Sequence, residues 1–297
     1  MRIAVTGRTG QVVQSLLARA QAAGVTVIPV GRPELDLAQP NGVEQVLAAA
    51  KPDCIINAAA YTAVDRAETE PELALRINGA GAGAVAVAAV ALGVPLIQIS
   101  TDYVFDGMAP HPWRESDATA PLSAYGRSKL AGEDAVMASG ADWTILRTAW
   151  VYSPYGANFV KTMLRLAETR AEVGVVSDQL GSPTSASDLA ETIIAMAKTL
   201  VARPKDATLR GVFHAAGTGE ASWADLAETV FAASAALGGP SARVRRIATI
   251  DYPTPARRPS NSRLDCSLLA ARHGLCLPPW QGSVQSCVAT LLAPSRS

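Results

Sequence analysis

Short apolar runs alternate with helically spaced segments through the first half of the chain. Arg2–Thr6 is a β-like run, and residues 11–23 carry apolar positions at helical spacing. A second strand follows at 25–30 and a second helix at 41–50; a short third strand, Cys54-Ile55-Ile56, stops at Asn57. A long helical segment covers 71–92, then come a fourth strand at 95–100, a helix at 124–138 and a fifth strand at 143–147. Strands this apolar are buried on both faces, and their alternation with helices predicts an α/β fold. We expect a Rossmann-type doubly wound parallel sheet with right-handed crossovers.

The pattern changes in the second half. Prolines cluster at Ser182-Pro183-Thr184, Tyr252-Pro253-Thr254-Pro255 and Arg258-Pro259. Helical spacing persists at 187–200, at 222–236 with Ser222 as a candidate N-cap, and near 282–292. This predicts a dinucleotide-binding domain at 1–150 and a smaller α/β substrate lobe at 151–297. The lobe should face the carboxyl ends of the strands, with some of its segments returning to the first domain.

At 297 residues the chain is long enough for an ample core. Its net charge of zero gives no pull toward nucleic acid or a membrane surface. The N-terminus reads as a strand entering a glycine turn, not a signal peptide. The apolar stretch at 80–94 is too short and too rich in Gly and Ala for a membrane span. Cys54, Cys266, Cys276 and Cys287 lack C-x-x-C spacing and read as reduced thiols of a cytoplasmic protein. His111, His214 and His273 are scattered, so no metal site is expected.

Gly7-Arg8-Thr9-Gly10-Gln11-Val12 joins the first strand to the first helix. Glycines there let the backbone approach a pyrophosphate, and the free N–H groups of a helix N-terminus favour anions. An ordinary glycine turn would look the same in isolation. Val13 stands where a third glycine would allow close helix–sheet packing, so the helix should sit slightly farther out. The second strand ends in Val30-Gly31-Arg32. A missing acid and a nearby arginine favour the 2′-phosphate of NADPH, with NADH still possible. Asp36 and Leu37 are candidates for the adenine edge. After the third strand, Ala58, Ala59 and Ala60 are small enough for a cofactor to lie against the backbone.

Tyr125 and Lys129 are four residues apart, hence on one face of a helix. An ammonium beside a phenol lowers its pKa, and such a tyrosine exchanges protons with a carbonyl or alcohol oxygen. Alone, the pair is explained as well by a solvated helix face. The fourth strand, however, ends in Ser100-Thr101-Asp102, which puts the Thr101 hydroxyl on the crevice side of the sheet. The glycine turn, Thr101, Tyr125 and Lys129 fall in the right order on a doubly wound pattern. Glu68, Glu70 and Glu72 read as a solvated helix start, and Trp223 as a packed lobe residue.

The chain resembles the extended short-chain dehydrogenase/reductases. Within them it is most similar to the branch that reduces a dTDP-4-dehydro sugar in dTDP-rhamnose synthesis. The matching stretches are Gly7-x-x-Gly10-Gln11-Val12, the run from Asn57 through Asp65-x-Ala67-Glu68, and Ser100 through Gly107. They continue with Tyr125-Gly126-x-x-Lys129-x-x-Gly132-Glu133 and Leu146-Arg147-Thr148-x-Trp150. Asp178-Gln179-x-Gly181-x-Pro183-Thr184 and Arg258-Pro259-x-Asn261-Ser262 are the more specific ones.

The resemblance implies that NADPH reduces the C4 ketone of dTDP-4-dehydro-L-rhamnose. Tyr125 would donate the proton, Lys129 would tune Tyr125 and hold the nicotinamide ribose, and Thr101 would bind the carbonyl. It places Asp102 and Trp150 at the sugar, with Arg258 and Asn261 also on the substrate side. Some relatives dimerise around a magnesium ion held partly by an acid where this chain has Ser15, so a monomer or weak homodimer without metal is expected. Two other readings stay open: a non-catalytic subunit like the methionine adenosyltransferase β subunit, and a nucleotide-sugar epimerase or dehydratase. Tyr103 stands where dehydratases carry an acid, which favours a reductase.

Overall fold

The computed structural model describes residues 1–204 and 206–293. Five apolar runs become strands: β1 (Arg2–Thr6), β2 (Thr26–Val30), β3 (Cys54–Asn57), β4 (Leu96–Thr101) and β5 (Trp143–Thr148). A sixth, β6 (Gly211–His214), comes from the second half of the chain. They form one parallel sheet in the order β6-β5-β4-β3-β1-β2. The order reverses between β1 and β3, which opens a crevice beyond the carboxyl ends of the strands.

Side chains alternate across each strand, so each face builds its own core. Ile3, Val5, Ile56 and Ile97 pack against α1 (Gln11–Ala20) and the helix Ala186–Ala202. Ala4, Ile55, Leu96 and Ile145 pack on the other face. They meet α2 (Val43–Ala49), the long helix α3 (Pro71–Leu92) and Val136 of α4 (Ala124–Ala138). Thus β6 and the helix Ala186–Ala202 complete a sheet begun by the first half. A third core joins the helices Phe159–Ala167, Trp223–Ala236 and Trp280–Leu292 to a parallel ladder of Glu172–Val176 with Arg243–Ile247. Ser222 caps its helix, accepting from the Asp225 amide at 3.1 Å, while the Asp225 carboxylate accepts from the Ser222 amide at 2.8 Å.

The apolar stretch at 80–94 falls, up to Leu92, in the longer helix α3. By length and composition that helix could cross a membrane, but half of its most apolar window is buried in this fold. A π-helical turn, Arg76–Ala80, interrupts it and pushes the Asn78 carbonyl toward α4. Two glycines of α4 accept such approaches. A Cβ on Gly126 would lie 2.2 Å from the Tyr103 carbonyl oxygen, and one on Gly132 would lie 2.1 Å from that of Asn78.

Gly132→Ala forces these backbones apart. We expect a loss of about 1–3 kcal/mol in stability, read as a lower denaturant midpoint. An unchanged midpoint would show that the contact yields freely.

Candidate active site

The floor of the crevice is a buried polar ladder across the strand ends. The Thr6 hydroxyl donates to Asn57 Oδ1 at 2.5 Å and accepts the amides of Ala58 and Ala59 at 3.1 and 2.9 Å. Asn57 Nδ2 donates to Gln98 Oε1 at 2.7 Å. These bonds fix the turn after β3, where Ala58, Ala59 and Ala60 lie.

Gly7 adopts φ +95°, a conformation that favours glycine, and its amide donates to the Val30 carbonyl at 2.6 Å. Gly10 caps α1 with no side-chain hydrogen bond to the helix, and no acid occupies the first turn. Val13 is buried; its methyl lies 3.4 Å from where a Cβ of Gly7 would be, so valine fills the space a third glycine would leave. Val12 packs at the edge of the same core. The Gln11 side chain turns toward the lobe: it donates to the Val151 carbonyl at 3.3 Å and accepts from Ser153 and Asn158 at 2.8 and 3.0 Å. It is therefore a tie between α1 and the segment after β5.

Arg32 is exposed at the end of β2. Arg8, which sequence reasoning passed over, lies against Gly31. Its guanidinium reaches the Gly31 carbonyl at 3.4 Å and pairs with Glu34 at 2.7 Å. Asp36 accepts from the Ala38 amide at 2.9 Å, and Leu37 is buried against Gly81.

Thr101, Tyr125 and Lys129 converge where β4 meets α4. The Ser123 hydroxyl accepts from the Gly126 amide at 3.1 Å and Glu68 accepts from the Ala124 amide at 2.8 Å, which anchors the start of α4. The Tyr125 phenol lies beside the Thr101 hydroxyl, and the Tyr103 ring stands edge-on to it with centroids 5.6 Å apart. Burial raises the Tyr125 phenol well above its ordinary value, against the pull of Thr101. This corrects the expected lowering by Lys129, whose ammonium instead donates to the Ile99 carbonyl at 2.7 Å. Burial lowers Lys129 to about 8, with Glu133 acting the other way.

Asp102 is buried. Burial pushes its carboxyl up to about 6, against hydrogen bonds from Ser262 and Thr101. Its Oδ2 has no partner among the described residues.

Trp150 takes φ +49° and stacks on Trp223 with centroids 3.5 Å apart. Trp223 is thus more than lobe packing: its indole donates to Gln179 at 3.1 Å, and Gln179 donates to Thr249 at 3.1 Å. Arg258 pairs with Asp65 at 2.7 Å and donates to the Tyr103 hydroxyl at 3.1 Å. Arg257 is exposed. Asn261 does not reach the crevice as a free amide. Its Nδ2 donates to the Ala109 and His111 carbonyls at 2.8 and 2.7 Å, and its Oδ1 accepts from Arg263. The expected substrate contact at Asn261 is therefore replaced by a brace for that loop.

Glu68 and Glu70 are also not a solvated helix start. Glu70 accepts the Tyr61 hydroxyl at 2.7 Å and pairs with Arg66, while Glu68 caps α4. Asn78 accepts from the Tyr61 amide at 2.7 Å and donates to Ser128 at 2.9 Å. Ser15 is buried, with its hydroxyl unpartnered among the described residues. Asp65 and Glu68 both lie in a stretch that matched the reductases, but their partners are remote in the chain.

The model of the RmlD substrate binding domain matches residues 1–293. A dTDP-4-dehydrorhamnose reductase of Sinorhizobium fredii is 50% identical over 296 residues, covering 100% of this chain and 99% of the relative. A dTDP-4-dehydrorhamnose reductase of Escherichia coli is 43% identical, covering 96% of each chain. Among solved structures, a dTDP-4-dehydrorhamnose reductase of Clostridium acetobutylicum has a TM-score of 0.89 at 37% identity, covering 98% of this chain and 99% of its own. The Bacillus anthracis reductase in complex with NADP has a TM-score of 0.88 at 36% identity, covering 97% and 99%.

A Cβ on Gly181 would lie 2.3 Å from the Trp150 indole. Gly181→Ala should expel that ring from its stack, at a cost of about 1–3 kcal/mol. Tryptophan emission should shift in the folded variant; an unchanged spectrum and midpoint would contradict this packing.

Proposed function

The chain belongs to the RmlD substrate binding domain family, and from that membership we propose that it reduces the C4 ketone of dTDP-4-dehydro-L-rhamnose to dTDP-L-rhamnose with NADPH. The observation that carries this reading is the meeting of Thr101, Tyr125 and Lys129 at the carboxyl end of β4. A cytoplasmic setting accords with four free thiols.

The residues present fit the cofactor. The Gly7 turn and the uncapped N-terminus of α1 offer backbone N–H groups to a pyrophosphate. Arg32 and Arg8 flank the end of β2, where a 2′-phosphate calls for positive charge. Ala58, Ala59 and Ala60 leave room beside the backbone.

NADPH, when bound, supplies the hydride. Tyr125 gives its proton to the C4 oxygen as that oxygen gains charge. The raised phenol pKa keeps Tyr125 protonated at neutral pH, the form a reductive step requires. Thr101, beside Tyr125, orients the same oxygen. Lys129, one turn of α4 from Tyr125, holds the nicotinamide ribose. Asp102 and Trp150 border the sugar, and Arg258 is assigned to the diphosphate. Tyr103 engages Arg258 and provides no carboxylate of the kind dehydratases use.

Tyr125→Phe should lower kcat by about 10²–10⁴-fold while NADPH affinity stays within a few-fold of wild type. NADPH oxidation with dTDP-4-dehydro-L-rhamnose measures both. Near-normal turnover in this variant would sink the assignment.

Replacing Arg8 or Arg32 with Ala should cost NADPH about tenfold or more in kcat/KM, the worth of a charge-assisted hydrogen bond of ~1.5–3 kcal/mol. The NADH rate should hardly move. Equal losses with both cofactors would place these arginines elsewhere in the mechanism.

A further inference from the structure

Beneath the catalytic floor lies a second charge cluster. Glu133 follows Lys129 by one turn of α4 and is 0% exposed. Its carboxylate accepts Nε and a terminal nitrogen of Arg147, from β5, at 3.0 and 2.6 Å. It also accepts the Ser100 hydroxyl, from β4, at 2.5 Å. Ser100 immediately precedes Thr101. One carboxylate therefore ties the strand that presents Thr101 to the helix that presents Tyr125 and Lys129.

Stability alone is a poor reason for such a cluster. Burying an ion costs several kcal/mol, and apolar side chains of similar volume often serve as well as a buried pair. Arg147 still has a terminal nitrogen without a partner among the described residues. Its guanidinium carbon lies 5.0 Å from the Phe105 ring centre, and the neighbouring His214 is kept neutral, lowered to about 3 by burial and by Arg147.

Lys129 supplies the reason. Glu133, on the same helix, is the titratable group that acts on its ammonium, which donates to the Ile99 carbonyl of β4. Arg147, from β5, faces it through Glu133. Burial works against the Lys129 charge, and Glu133 is the anion that favours it. The grip of Arg147 and Ser100 holds that carboxylate in place.

We propose that Glu133, clamped by Arg147 and Ser100, is a positioning residue that keeps the Lys129 ammonium charged and aligned with Tyr125 during turnover. The proposal rests on the reading of Tyr125 and Lys129 as the catalytic pair.

The test is the pH profile of kcat/KM for ketone reduction, measured on folded Glu133→Asp, Glu133→Gln and the double variant Glu133→Gln/Arg147→Gln. The alkaline limb of the wild type reports loss of the Lys129 charge. Without the anion, Lys129 loses its proton at lower pH, so both Gln variants should move that limb acidward by about one unit or more. Glu133→Asp keeps the charge and should hold the limb near the wild-type position. The double variant removes the Arg147 charge that the single Gln variant would leave unpaired, so it stays readable where the single variant unfolds. A wild-type limb in either Gln variant overturns the proposal, as does loss of folding in both, which would make the cluster purely structural. Lys129→Met separates the two readings: turnover near wild type sinks the catalytic pair itself, whereas an inactive Lys129→Met beside unmoved limbs sinks only the role of Glu133.

Discussion

Backbone carbonyls can approach a helix this closely only where side chains are missing. Gly126 lies on the Tyr103 carbonyl and Gly132 on that of Asn78, so α4 sits almost directly on the strand end and on the bulge of α3. That spacing determines where Tyr125 and Lys129 end up. It brings the phenol to Thr101, the ammonium to the Ile99 carbonyl and Glu133 to Arg147. The motif is usually described by its tyrosine and lysine, but here the two glycines are what make the tyrosine and lysine reach anything.

Desolvation is what gives the site its electrostatic character. Tyr125 is pushed up, Lys129 down and Asp102 up, each chiefly because burial disfavours its charged form. Under the proposed roles, a protonated phenol is a sensible resting state for an acid that must deliver a proton once per cycle.

Much of this was legible in the chain, and the exceptions share a cause. The alternation of apolar runs located five of the six strands, because parallel strands buried on both faces leave a continuous hydrophobic signature. Gly211–His214 left no such trace; it is four residues long and ends in a buried histidine. The order of the glycine turn, Thr101, Tyr125 and Lys129 was readable because it follows chain topology. The Arg258–Asp65 pair and the Asn261 brace were not, since their partners stand 193 and about 150 residues away. The direction of the Tyr125 shift was missed for a related reason: spacing reveals a neighbouring charge but not the depth of burial.

The return of β6 and the helix Ala186–Ala202 to the first sheet has a consequence for how the protein can vary. The layer over α1 and the face of Ile3, Val5 and Ile56 is supplied by chain that lies beyond Trp150. The cofactor half is therefore not a separable cassette that could be traded intact between relatives with different substrate lobes. A change that remodels the lobe also bears on the roof of the nucleotide fold, so the two halves are bound to drift together.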